Sequence, residues 1–93
     1  MYLFIVKDIL DYPQVEYVSD AIVLANSNLE CFDLIIDHED YCGYFNYDED
    51  IHYNKDEITI LREKLMKKVE KCKTLKIDNY ETVAPDVILS NKY

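Results

Sequence analysis

Apolar residues along this chain recur with two different periods, and the changes of period mark its elements. Tyr2-Leu3-Phe4-Ile5-Val6 is a compact aromatic and β-branched run, which predicts a first strand. Residues 8–14 contain Asp11 and Pro13 and predict a loop, while Val15, Glu16, Tyr17 and Val18 have the composition of a strand extension. Ala21-Ile22-Val23-Leu24-Ala25 predicts a second, buried strand. Ser27 followed by Glu30 is a capping box: the hydroxyl can take a backbone N–H of the first turn while the carboxylate reaches back. The helix it opens carries Cys31, Phe32, Leu34, Ile35 and Ile36 and should end near His38 or Glu39.

The segment 41–53 has no period and reads as irregular, with four tyrosines, Phe45 and the only glycine, Gly43. Asn54 is placed to cap a second helix, with Glu57 as its acidic partner. Ile58, Leu61, Leu65, Val69 and Cys72 then form one apolar stripe at helical spacing. Residues 74–77 predict a third strand, 78–86 a connection containing Pro85, and Val87-Ile88-Leu89 a short closing strand. The expected order is β-β-α-α-β-β, and 93 residues suffice for one domain, 1–93. The simplest architecture for this order is a small α+β domain, a mainly antiparallel sheet with both helices on one face.

Composition supports a folded chain. Hydrophobic residues make up 49%, and Gly and Pro together number three, so a core is available and a Gly-rich phosphate loop is not. No run approaches the roughly 18 apolar residues of a membrane span, and the N-terminal run is too short and lacks a basic start for a signal peptide. Cys31, Cys42 and Cys72 are odd in number and far apart, which suits free thiols in a reducing cytoplasm rather than a disulfide framework.

Charge changes the picture most. The formal net charge is −9, which disfavours nucleic acid and anionic membranes as partners and favours basic proteins. Between residues 8 and 54 there is no Lys or Arg, but there are twelve acids: Asp8, Asp11, Glu16, Asp20, Glu30, Asp33, Asp37, Glu39, Asp40, Asp48, Glu49 and Asp50. From residue 62 to 76 the sign reverses, with seven bases against two acids, and these lysines are expected to flank the apolar stripe and pair with the acidic half, in the same chain or across a dimer. Glu30, Asp33, Asp37 and Asp40 are spaced as one carboxylate stripe of the first helix, an arrangement that destabilises a helix by a few tenths of a kcal/mol per pair. An acidic surface also serves solubility, but self-repulsion normally mixes the signs. At the charge density of duplex DNA, about one per 1.7 Å, twelve carboxylates imitate roughly 20 Å of duplex and a two-fold dimer roughly 40 Å. The twelve are therefore the candidate partner-binding residues.

Other chemistry is poorly represented. His38, Cys42, His52 and Cys72 lack the paired short spacing of a zinc site. The run from Asp48 onward resembles a calcium loop, but Tyr53 and Thr59 stand where Gly and Glu are needed. No nucleophile-elbow, phosphate-loop or zinc-protease motif occurs. No catalytic residues, metal or cofactor are expected. The tyrosines at 41, 44, 47 and 53 suit either an interface or a loop pinned across the core.

Two resemblances add to this. Ala21-Ile22-Val23-Leu24-Ala25-Asn26-Ser27-Asn28-Leu29-Glu30 resembles the strand-into-helix unit of small α+β phage proteins, and Pro85-Asp86-Val87-Ile88-Leu89-Ser90 is similar to their last strand. The whole chain, short and acidic with a base-free first half, resembles the Arn family of anti-restriction proteins of T-even bacteriophages, which are dimeric DNA mimics. That resemblance implies a homodimer in the host cytoplasm that inhibits a restriction nuclease of the McrBC type and binds the nucleoid protein H-NS. The alternative expectation is an inhibitor or antitoxin-like module that blocks an enzyme without imitating DNA.

Overall fold

The computed structural model describes residues 1–10, 19–46, 55–77 and 84–92. Its strands are β1 (Tyr2–Val6), β2 (Ser19–Ala25), β3 (Lys73–Lys76) and β4 (Asp86–Lys92), and its helices are α1 (Asn28–Asp37), α2 (Cys42–Phe45) and α3 (Lys55–Lys71). The sheet order is β3-β1-β2-β4 and every neighbouring pair is antiparallel. The α+β class and the antiparallel sheet with helices packed on it agree with the expectation from the sequence.

Strand alternation explains the layering. Phe4 and Val6 of β1 and Ala21, Val23 and Ala25 of β2 point to one face and are buried there. Cys31, Phe32, Ile35 and Ile36 of α1 and Leu61, Leu65 and Val69 of α3 close over them as one core cluster. The predicted stripe of α3 is thus its buried face. On the opposite sheet face Leu75 pairs with Leu3 and Leu89 with Ile22; Leu75 and Leu89 are exposed, while Leu24 on that face is buried.

Local chemistry sets the ends of α1. Ser27, in an extended conformation, accepts the Glu30 N–H at 3.1 Å. Glu30 completes the cap one residue earlier than a standard capping box, accepting the Asn26 backbone N–H at 2.8 Å and its amide at 3.1 Å. His38 turns extended at ψ 138° and ends the helix at Asp37.

Four expectations are corrected. The irregular segment contains α2, a single turn, making three helices among the described residues where two were expected. A four-residue turn shows no periodicity; burial holds it, with Tyr41 and Phe45 both 0% exposed. Arg62, counted from the sequence as surface charge, donates to the Phe45 carbonyl at 2.5 Å and to Asn46 Oδ1 at 2.6 Å. It thereby satisfies the C-terminal carbonyl end of α2 with a cation. The closing strand is seven residues long, Asp86–Lys92, because it pairs along most of β2 through an irregularity beside Ile22 and Val23. Asp40 lies beyond the end of α1, so it is not part of that helix's carboxylate stripe. The strand extension at 15–18, the cap at Asn54 and the calcium-like run at 48–54 lie outside the described residues.

Candidate functional site

The structure places seven of the twelve candidate carboxylates; Asp11, Glu16, Asp48, Glu49 and Asp50 lie outside the described residues. Glu30 caps α1, and the other six divide into two groups. Asp8, Asp20 and Asp40 gather where the end of β1, the start of β2 and the turn after α1 meet. Asp33, Asp37 and Glu39 lie along and just past the exposed side of α1.

In the first group the fold engages the carboxylates of Asp20 and Asp40, and Asp8 through its backbone only. Asp8 takes a left-handed conformation, φ 54°, which Asp tolerates better than most residues. Its backbone N–H donates to Asp20 Oδ1 at 3.1 Å, and its carbonyl accepts from Lys68 Nζ. The chain then turns in to bury Ile9 and Leu10, whose N–H groups go to the Ser19 carbonyl at 2.9 Å and the Ser19 hydroxyl at 2.7 Å. Asp40 accepts from Ser90 Oγ at 2.8 Å, and Ser90 Oγ lies 2.6 Å from the Tyr41 hydroxyl. Because Ser90 spends its proton on the carboxylate, the Tyr41 O–H donates to Ser90, with the Asp20 carbonyl a second acceptor at 3.2 Å. This relay ties the turn after α1 to β2 and β4.

Burial raises the pKa of Tyr41 above the ordinary phenol value, the Ser90 hydrogen bond opposes this, and the charges of Asp40 and Asp20 raise it further. A raised value in the folded state means the unfolded chain releases this proton first. The stability from the neutral phenol is therefore complete below about pH 10 and is lost as pH rises through the folded value. In an ultraviolet titration of phenolate absorbance Tyr41 should ionise late, with unfolding, and Tyr41→Phe should delete that late step. A late step that survives the substitution would belong to another tyrosine.

Glu30 is likewise engaged, as the α1 cap. That leaves Asp8 and, on and just past α1, Asp33, Asp37 and Glu39, whose side chains are exposed and, among the described residues, have no hydrogen bond or ion pair. Within one chain and among the described residues, Lys64, Lys67 and Lys71 make no ion pair with the acidic half.

The aromatic segment resolves towards the core. Tyr41 and Phe45 are buried and Tyr44 packs against the cluster, while Tyr47 and Tyr53 lie outside the described residues. Cys31, Cys42 and Cys72 are free thiols. Burial, with the nearby Cys72 adding to it, pushes the Cys31 thiol up to about 12, so it is chemically quiet in the folded state. Among the described residues no group of three or more His, Cys, Asp and Glu side chains is arranged to hold a metal ion, and no helix is long and apolar enough to cross a membrane.

Comparison with protein-family models, curated proteins and solved structures finds no match to this chain.

Proposed function

We propose that this protein works without catalysis, as an acidic DNA mimic that occupies the DNA-binding surface of a basic host protein. The observation that carries the reading is the segregation of charge: 47 consecutive residues, 8–54, with twelve acids and no Lys or Arg. The exposed trio Asp33, Asp37 and Glu39, whose side chains have no partner among the described residues, is with Asp8 the described part of that surface. A surface of one sign attracts a basic groove over a long range and gives fast, salt-sensitive association. The resemblance to phage anti-restriction proteins makes a McrBC-type nuclease and H-NS the partners to test, in the cytoplasm of the host. A homodimer would double the imitated length, and exposed Leu75 and Leu89 on the sheet face opposite the helices offer apolar area for pairing.

Capture from bacterial lysate at low salt should recover DNA-binding proteins, each released by added duplex, in complexes whose scattering mass includes two copies of the 11.1 kDa chain. Recovery only of proteins indifferent to duplex would falsify mimicry, and complexes with one copy would remove the dimer.

A specific inhibitor or antitoxin-like module is the second reading. It is favoured by the engagement of Asp20, Glu30 and Asp40 within the fold, which leaves fewer carboxylates for a DNA-like array.

A further inference from the structure

The bases of this acidic chain are as concentrated as its acids. Lys64, Lys67, Lys68 and Lys71 are spaced three, one and three apart, so they share one flank of α3. That flank faces the end of β1 and the start of β3, which add Lys7 and Lys73. The six line an open cleft of about 810 Å³, and among the described residues Ile5 and Cys72 line it with them. Six of the ten basic residues thus surround one concavity, and among the described residues no carboxylate lines it.

Helix chemistry explains part of this. Lys68 and Lys71 occupy the last turn of α3, where cations complement the helix dipole, and Lys68 also holds the Asp8 carbonyl. Lys7, Lys64, Lys67 and Lys73 have neither role and, among the described residues, make no ion pair. With a screening length of about 8 Å at physiological salt, ammonium groups around such a cleft repel one another. A bound anion would relieve that repulsion.

We propose that this cleft binds a compact, multiply phosphorylated small ligand. Lysine ammonium groups act as point charges that meet phosphate oxygens without requiring a planar fork. The cleft's volume falls within the roughly 300–1,000 Å³ of small-molecule sites. Ile5, Cys72 and the lysine stems supply an apolar floor for the rest of the ligand. A long nucleic acid fits less well. Beyond the rim its phosphates meet a surface from which most of the bases have been withdrawn into the cleft, and each further phosphate is repelled. The proposal is independent of what the acidic surface binds.

Tripolyphosphate is a suitable probe, titrated by calorimetry into the intact protein at about 50 mM and about 200 mM salt. Saturable binding is expected, weaker at the higher salt. Lys67→Gln with Lys71→Gln, both exposed and outside the core, should weaken it about ten-fold, as expected for removing two close charges in water. Lys76→Gln, on β3 outside the cleft, should leave it unchanged. Bound probe should also slow alkylation of Cys72, which lines the cleft, and not of Cys42. Absence of saturable binding at the lower salt, or equal affinity in the double variant, overturns the proposal. So does tighter binding of a single-stranded oligonucleotide at the same lysines, which would assign the cleft to a nucleic-acid backbone.

Discussion

Phe45→Ala should destabilise the protein by about 3–5 kcal/mol, the usual cost of truncating a buried phenylalanine. A domain of this size has a total stability of about 5–15 kcal/mol, so the loss would be about a fifth or more of it. Urea titration should show the midpoint falling, and the melting temperature should drop by about 12 °C or more. Phe45 is 0% exposed and belongs to the same cluster as Ile35, Ile36 and Leu61. Its removal leaves a cavity that the single turn of α2 cannot close, because Arg62 and Asn46 hold that turn in place. Asn46 donates to the Ile36 carbonyl at 2.7 Å and Arg62 to the Phe45 carbonyl at 2.5 Å. Leu29→Ala is the control: Leu29 is 60% exposed and the substitution should cost no more than about 0.5 kcal/mol. Equal effects of the two substitutions would mean that Phe45 does not sit in the core.

The importance of Phe45 could not be read from its neighbours in sequence. The strands β1 and β2, the Ser27 and Glu30 cap and the stripe of α3 were legible because each signal is local: a run, a pair three residues apart, a period. Cys42-Gly43-Tyr44-Phe45 is barely one helical turn and contains glycine, so neither period nor propensity announces it. Burial and Arg62, 17 residues away, make it a helix. The carboxylates show the same division. Charge segregation is visible in a bare sequence, whereas the use of Asp40 depends on Ser90, 50 residues along, and that of Asp20 on the turn at Asp8. For the lysines, the spacing on α3 marks one flank, but only the β3-β1-β2 order brings Lys7 and Lys73 beside it.

Reversing the exposed trio, Asp33→Lys, Asp37→Lys and Glu39→Lys, should weaken binding to a DNA-binding partner by at least about 100-fold, if each reversal costs roughly 1 kcal/mol at a complementary charged interface. The salt dependence of what remains should flatten, because fewer opposite charges meet. The fold should not suffer. These side chains are exposed and bond to nothing among the described residues, and Asp37 and Glu39 stand at the C-terminal end of α1. A carboxylate there opposes the helix dipole and a lysine complements it, so thermal stability should hold or rise by a few tenths of a kcal/mol per site. Lost binding with retained stability separates a functional surface from a structural one. The single substitutions then divide the two readings of function. A mimic spreads its energy over many carboxylates, so Asp33→Asn, Asp37→Asn and Glu39→Asn should each weaken binding by similar, modest factors that multiply. An inhibitor concentrates it, and one of the three would cost 2 kcal/mol or more while the others cost little. Asp20, Glu30 and Asp40 cannot serve in this comparison, because their oxygens hold the turn at Asp8, the cap of α1 and the Ser90 hydroxyl. Substituting them would disturb the fold and the surface together.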